Sequence, residues 1–355
     1  MKINLNKSDT NLLLNLFETL ELNMSASEVA LELVDGFENL DLNTVFNDVK
    51  NHNSYLTRIK ELYGYNDQDP FQVQLFEKHL LPNIVKRDLS SYQNDPYYQA
   101  IKGVEFKSNN LALTNKYYRK NQLFVFDDVR SHGENYEEKL SLAYAGVDYP
   151  YLALIQDYKI WMAVIPHEMN TMKASIAEAH GHVLVLGLGL GYYPFHIALK
   201  DEVISIVIVE KNQTIINIFN KYIFPKFSNK EKFTIIHEDA YQFMKLNHQD
   251  FDYAFFDIYR SSNEDLDLYL KAKRFERFYP DLKISYWLES SMLAHLRRVL
   301  ITYIKEVYYG YVAEEKSALD RLIETLAKRL ERTTLNNYQD VLNLLSDQSI
   351  LNLIR

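Results

Sequence analysis

The spacing of apolar residues along the chain changes twice, which predicts three kinds of structure in succession. In residues 1–99, leucine and phenylalanine recur at helical spacing, and this indicates a helical N-terminal domain. We predict its helices around Leu12–Leu20, from Ser25 or Ser27 to Gly36, over Asn43–Tyr63, and from Phe71 to Pro82. Residues 100–165 predict a small β-hairpin region with strands at Leu111–Tyr118, Leu123–Val129, Tyr151–Ile155 and Ile160–Ile165, paired in that order.

From residue 166 to 310, strands that are apolar throughout alternate with helical segments. The predicted strands are His182–Leu186, Val203–Val209, Phe233–His237, Phe251–Phe256 and Leu282–Leu288. Strands of this kind are typical of a parallel sheet covered on both faces. The fold class is therefore α/β, with a doubly wound Rossmann-like sheet over 166–310 and C-terminal helices over 311–355.

Glycine is scarce in this chain and is concentrated at one place. The 355 residues include 10 glycines, where average usage predicts about 25. Four of them, Gly181, Gly187, Gly189 and Gly191, fall within eleven residues. Gly181 is best explained as a helix stop, whereas the other three follow the apolar strand directly. A strand that runs into alternating glycines and then a helix indicates a nucleotide-binding turn.

The residues after this turn narrow the class of ligand. The dinucleotide fingerprint requires a glycine at position 192, which is Tyr192 here. A triphosphate-binding loop requires Lys and Ser or Thr after its last glycine, but Gly191 is followed by Tyr192 and Tyr193. The spacing therefore disfavours both pyrophosphate and triphosphate ligands and leaves a nucleoside.

Acidic residues follow three consecutive predicted strands. Glu210 ends the second strand, 19 residues after Gly191, where a carboxylate can bind ribose hydroxyls. Asp239 follows the third strand and can reach an adenine amino group. Asp257 ends the fourth strand and points to the same cleft. One such acid alone is commonly a helix cap, but three at successive strand ends indicate a site.

The pattern resembles the class I S-adenosylmethionine-dependent methyltransferases over roughly residues 165–290, in particular the branch that includes spermidine synthase. The shared features are Val185, where other members have an acid, the segment His167-Glu168-Met169, and the run from Glu238 to Phe243. The resemblance implies S-adenosylmethionine as cofactor. By the same resemblance Glu210 would bind ribose and the segment Asp239-Ala240 would contact adenine. The cofactor would lie against the backbone of Gly187, Gly189 and Gly191.

The chain also departs from that branch. Aminopropyl transferases carry a second acid three residues after the one matching Asp257, where this chain has Arg260. Because Arg260 would repel a cationic amine, we expect a methyltransferase of unidentified acceptor, with Asp257 as general base or substrate-orienting residue. A spermidine synthase-like aminopropyltransferase and a noncatalytic cofactor-binding protein are the alternatives. Asp95-Pro96-Tyr97-Tyr98 imitates an amino-methyltransferase motif, but the polar residues before it predict a turn.

Charge and composition exclude further classes. Cysteine is absent, so disulfides, thiol nucleophiles and thiolate metal sites are excluded, and the histidines show no metal-ligand spacing, so we expect no metal. The net charge of −9 does not indicate nucleic-acid binding, although residues 271–305 carry eight basic and three acidic residues. That segment reads as a solvated helix face or, alternatively, as an anion site. With neither a signal peptide nor a membrane span in the sequence, we expect a cytoplasmic protein and leave a homodimer open.

Overall fold

A computed structural model of the chain describes residues 1–108, 110–246, 250–260, 265–310 and 318–355. Its helices, in chain order, are α1 Lys7–Phe37, α2 Leu42–Val45, α3 His52–Tyr63, α4 Pro70–Gln74, α5 Ser90–Gln93, α6 Pro96–Ile101, α7 Pro166–Glu178, α8 Tyr192–Ala198, α9 Gln213–Ile218, α10 Ala240–Leu246, α11 Leu266–Phe275, α12 Glu289–Tyr309, α13 Ala318–Arg329, α14 Tyr338–Leu345 and α15 Asp347–Ile354. Single π-helical turns extend α4 over Leu75–Leu80 and α9 over Phe219–Ile223.

The strands of the described residues form five sheets of two to five strands. They are β1 Lys2–Ile3, β2 Ile84–Arg87, β3 Phe106–Lys107, β4 Leu111–Tyr118, β5 Leu123–Val125, β6 Arg130–His132, β7 Glu137–Lys139, β8 Leu142–Ala145, β9 Tyr149–Gln156, β10 Lys159–Ala163, β11 Gly181–Leu186, β12 Val203–Glu210, β13 Phe233–His237, β14 Tyr253–Phe256, β15 Lys283–Tyr286 and β16 Thr334–Leu335. Together with the helices they confirm the predicted mixed α/β class.

The largest sheet has five parallel strands in the order β13-β12-β11-β14-β15. The central strand β11 is buried from Val183 to Leu186, and its neighbours β12 and β14 are buried on both faces along most of their length. This burial explains the continuous apolar runs in the sequence. Because chain order reverses at β11, a cleft opens at the carboxyl ends of β11 and β14.

The N-terminal region differs from the prediction in its first helix. One continuous helix, α1, replaces the two helices expected on either side of Ser25 and Ser27. The Ser27 hydroxyl donates to the Asn23 carbonyl at 2.9 Å, so it bonds within the helix rather than capping a new one. The first half of α1 packs in the core that contains the five-stranded sheet, and its second half packs in a separate core with α3 and β8.

Two further predicted helices are also interrupted. The helix expected over Asn43–Tyr63 is divided into α2 and α3, because Asn51 and Ser54 form a capping box that begins a new helix. The helix expected from Phe71 begins at Pro70 and continues as a π-helical turn from Leu75 to Leu80 before Pro82. The apolar spacing indicated helix in both places but could not locate these breaks.

The first predicted hairpin is wrong, although both of its strands exist. Strand β4 pairs along its length with β9, whereas β5 pairs with β8 in a different sheet. Their connection is anchored elsewhere, since the Arg119 guanidinium donates to the Phe37 carbonyl at 3.0 Å and the Lys120 N–H donates to Asp148 at 2.7 Å. The second predicted hairpin does form, as β9 and β10.

The C-terminal part of the described chain is helical, as expected. In the described ranges no strand follows β15 in the large sheet, and β16 pairs instead with β1. Among those same residues, no helix is both long enough and apolar enough to cross a membrane. The predicted domain boundaries at 99, 165 and 310 remain predictions.

The basic segment 271–305 is solvated in part, since Lys271, Arg274, Arg277 and Lys283 are exposed, but its other basic residues are buried or half-buried. Arg297 is buried and donates to the Leu345 carbonyl at 2.9 Å, and Arg298 is paired with the buried Glu138. Other charges of the segment are paired with acids on other elements, as in Lys273–Glu289, Lys283–Glu178 and Lys305–Glu21. These cations tie α12 and its surroundings to the rest of the molecule.

Candidate functional site

A cavity of about 550 Å³ lies at the carboxyl end of β11, beside the glycine turn. Its walls come from β10, α7, the turn after β11, and the segments that follow β12, β13 and β14. All of the site residues predicted from the sequence line this cavity, namely Gly187, Gly189, Gly191, Glu210, Asp239, Ala240 and Asp257. The structure therefore brings the predicted set together, while the ligand assigned to each residue stays a prediction.

The three glycines of the turn meet different requirements. A Cβ at Gly187 would lie 1.8 Å from the Asp257 carbonyl oxygen, and one at Gly191 would lie 2.5 Å from the Phe219 ring. Both positions therefore need glycine for packing within the protein. Gly189, with φ at +54°, has no described atom within 4 Å of where its Cβ would stand. It is the glycine that leaves free space at the turn.

Glu210 is 9% exposed and holds the glycine turn in place. Its Oε2 accepts from the Leu188 N–H at 3.1 Å, and its Oε1 accepts from the Asn212 N–H at 2.7 Å. A carboxylate has about four acceptor positions, so two remain for a ligand. Glu210 can thus shape the turn and bind hydroxyl groups at the same time.

Asp239 and Ala240 lie at the start of α10. Asp239 Oδ1 caps this helix by accepting from the N–H groups of Tyr241 and Gln242 at 3.0 and 3.1 Å, which leaves Oδ2 free for the cavity. The Tyr241 ring lies beside them, and the Lys271 ammonium stands 3.7 Å from its centre. This end of the cavity combines an aromatic face with a carboxylate oxygen, which fits a purine base.

Asp257 stands at the end of β14 with an unusual protonation equilibrium. Burial, together with the nearby Glu210, raises the pKa of the Asp257 carboxyl to about 7. Within the part of the chain that the structure describes, this carboxyl makes no hydrogen bond or ion pair. A carboxyl with these properties can accept a proton near neutral pH.

Glu168 is a further cavity residue that the sequence reasoning did not select. It lies in the first turn of α7, two residues after Pro166, with the buried Met169 and Met172 following it. Burial raises its pKa well above the ordinary value, and Asp257 raises it further. In the sequence, Glu168 was noted only within the segment that resembles spermidine synthases. The one further signal for a functional role is that this acid lies among apolar residues of a helix.

Arg260 does not occupy the acidic part of the cavity as a free cation. Its guanidinium Nε lies 3.2 Å from Asp265 Oδ2, and its backbone N–H donates to the same oxygen at 2.8 Å. The side chain is 67% exposed at the cavity rim. Because its charge is paired with Asp265 and exposed to solvent, Arg260 would repel a cationic acceptor less than the sequence suggested.

Neighbouring groups limit other interpretations of the acids. His167 is not part of the cavity wall, and burial lowers its pKa to about 4, so it is uncharged at neutral pH. Among the described residues, no group of three His, Asp or Glu side chains is arranged to hold a metal ion.

Comparison with known proteins gives distant structural matches. No protein-family model matches the sequence, and no curated protein does. A spermidine synthase from Thermotoga maritima shares 14% identity with a TM-score of 0.31, over 55% of this chain and 61% of that one. A spermidine synthase in complex with the transition state analogue AdoDATO shares 14% identity with a TM-score of 0.29, over 42% of this chain and 58% of that one. The matched region thus spans less than two thirds of either spermidine synthase.

Proposed function

We propose that this protein transfers an aminopropyl group from decarboxylated S-adenosylmethionine to an amine. The proposal treats the five-stranded sheet as a Rossmann-like cofactor-binding sheet, with the adenosine part between Glu210 and Asp239. The observation that carries it is that Asp257 and Glu168 line the same cavity and that neither carboxyl group makes a hydrogen bond or ion pair with the described residues.

The residues present fit an adenosyl ligand at one end of the cavity. Gly189 leaves free space at the turn, Glu210 keeps acceptor positions for ribose hydroxyls, and Tyr241 with Asp239 suits the base. The positions of Gly189 and Glu210 then direct the rest of the ligand toward Asp257 and Glu168. That part of the ligand determines which donor is accepted.

The acidic end favours a donor without a carboxylate. Decarboxylated S-adenosylmethionine has two positive charges and no negative one, whereas S-adenosylmethionine also has a carboxylate. A donor carboxylate beside Asp257 or Glu168 is repelled when either acid is ionised, whereas a donor with positive charges alone favours the ionised form. Because Asp257 and Glu168 make no ion pair with any described residue, the acidic end favours the decarboxylated donor.

The same acids suit the acceptor and its proton. The donor supplies an activated carbon, whose bond to sulfur breaks with the electron pair leaving on sulfur as the amine nitrogen bonds to that carbon. Asp257 accepts the proton that the amine nitrogen must lose, and its pKa of about 7 allows this near neutral pH. Glu168 attracts the ammonium group of the acceptor and orients it.

Methyl transfer from S-adenosylmethionine is the second candidate, and Arg260 is the residue that favours it. The guanidinium lies at the cavity rim, is largely exposed and pairs with Asp265. A donor carboxylate could compete with Asp265 for this cation. In that reaction Asp257 would accept a proton from the methyl acceptor or orient it.

Calorimetric titration with both donors tests the proposal. We expect decarboxylated S-adenosylmethionine to bind at least about tenfold more tightly than S-adenosylmethionine, and Glu168→Gln to narrow that ratio. Tyr158→Phe, a change at a fully exposed turn residue, is the control and should leave the ratio unchanged. Tighter binding of S-adenosylmethionine would favour methyl transfer, and no binding of either donor would reject the adenosyl site.

A further inference from the structure

The motif Asp95-Pro96-Tyr97-Tyr98 lies against the glycine turn, although it is distant from it in sequence. Asp95 caps α6 by accepting from the N–H groups of Tyr97 and Tyr98 at 2.9 and 3.2 Å. The sequence predicted a turn here, whereas Pro96, Tyr97 and Tyr98 begin the helix α6 and the polar residues before Asn94 form the helix α5. The sequence also could not show that the side chains of this motif reach the glycine turn.

Tyr97 bonds directly to the turn. Its hydroxyl donates to the Leu190 carbonyl, between Gly189 and Gly191, and its side chain is fully buried. The ring packs edge-to-face on Tyr192 at 5.5 Å and on Phe195 at 5.2 Å between centroids. A buried carbonyl that lost this donor would be left without its partner, so the bond restrains the turn.

Asp95 holds the helix that follows the turn. Its Oδ1 lies 3.2 Å from His196 Nε2, and its Oδ2 accepts from the Tyr192 hydroxyl at 3.4 Å. Both partners are on α8, and Tyr192 also lines the cavity. Asp95 and Tyr97 thus hold the turn and α8 together from outside the five-stranded sheet.

We infer that Asp95 and Tyr97 are positioning residues that keep the Gly187–Gly191 turn in the conformation that binds the adenosyl ligand. This inference rests on the proposed function for the identity of the ligand. It does not depend on which group is transferred. The N-terminal region then contributes to donor binding without touching the donor.

Tyr97→Phe tests the inference with Tyr98→Phe as the matched control. Tyr97→Phe removes the hydroxyl and keeps the ring, while Tyr98, whose ring stacks on Tyr149, makes no bond to the turn. We expect Tyr97→Phe to speed amide hydrogen exchange in residues 187–193 of the full chain and to weaken 5′-methylthioadenosine binding about tenfold. It should raise the KM for the donor and leave the KM for the amine unchanged.

The outcomes separate this inference from the proposed function. Unchanged exchange in residues 187–193, or exchange that quickens equally in β12 and β13, would overturn the positioning role. Failure of the wild-type protein to bind any adenosyl compound would instead reject the proposed function, and the exchange measurement would still decide the inference. Should Tyr97→Phe not fold, Asp95→Asn, which keeps the oxygen that caps α6, is expected to show the same local change.

Discussion

The carboxylate of Glu210 accepts a hydrogen bond from the Leu188 N–H at 3.1 Å, which joins the end of β12 to the glycine turn after β11. The residue expected to bind ribose therefore also determines the conformation of the turn. A substitution at Glu210 removes two backbone contacts together with the contact expected to the ligand.

Glu210→Ala should weaken binding of adenosyl ligands by about a hundredfold or more, because several charge-assisted hydrogen bonds are lost together. It should also lower the melting temperature by a few degrees, since the Leu188 and Asn212 N–H groups lose their acceptor. Glu238→Ala is the matched control, because Glu238 follows β13 but does not line the cavity. Equal ligand affinity in Glu210→Ala and wild type would show that Glu210 does not contact the ligand.

Asp257→Asn should lower kcat by about 10² to 10⁴, the range usual for loss of a general base, with little change in binding of the neutral 5′-methylthioadenosine. The wild-type kcat/KM should rise with pH and level off above about pH 7, because Asp257 is a carboxylate above its pKa of about 7. Asp201→Asn, at an exposed turn, should behave as wild type. A wild-type profile that is flat between pH 5.5 and 8.5 would remove Asp257 from the proton transfer.

Glu168→Gln should stabilise the folded protein at pH 8 and have little effect at pH 5. The folded-state pKa of Glu168 lies above its unfolded value, so the native state loses stability as pH rises from the unfolded pKa toward the folded one. Glutamine does not ionise and avoids that loss. The melting temperature of Glu168→Gln should exceed that of the wild type by a few degrees at pH 8, and this difference should shrink toward pH 5. The variant should also bind the cationic donor more weakly. A difference in melting temperature that does not change with pH would contradict the raised pKa of Glu168.

Arg260→Gln distinguishes the two donors. If the donor is decarboxylated, the Arg260–Asp265 pair is a rim contact worth at most about 1 kcal/mol, and KM values should change less than about threefold. If the donor is S-adenosylmethionine and its carboxylate uses Arg260, the KM for that donor should rise about tenfold or more. Initial rates with each donor decide between these results.

The sequence predicted the large sheet well because its three inner strands, β11, β12 and β14, are buried along most of their length and are therefore mostly apolar. The strand predicted at Phe233–His237 agrees with β13 at both ends. The cavity was predicted for the same reason, since the carboxyl ends of parallel strands bring Glu210, Asp239 and Asp257 to one edge.

What the sequence could not predict depends on contacts between distant segments. Leu123–Val125 pairs with β8 rather than with the preceding strand, a choice made by tertiary anchors such as Arg119. Glu168 reaches the cavity from a helix that begins well before the glycine turn, and Arg260 is neutralised by Asp265 five residues later. The spacing of residues along the chain predicts helices and strands, but it does not show which distant segment each of them contacts.

Product analysis with both donors tests the central claim most directly. The protein is incubated with decarboxylated S-adenosylmethionine, or with S-adenosylmethionine, and a mixture of diamines and polyamines. The products are identified by mass spectrometry. Our account predicts 5′-methylthioadenosine and an aminopropylated amine in equal amounts from the decarboxylated donor, with both products lost in Asp257→Asn. Methylated products from S-adenosylmethionine alone, or binding of the donors without any turnover, would contradict it.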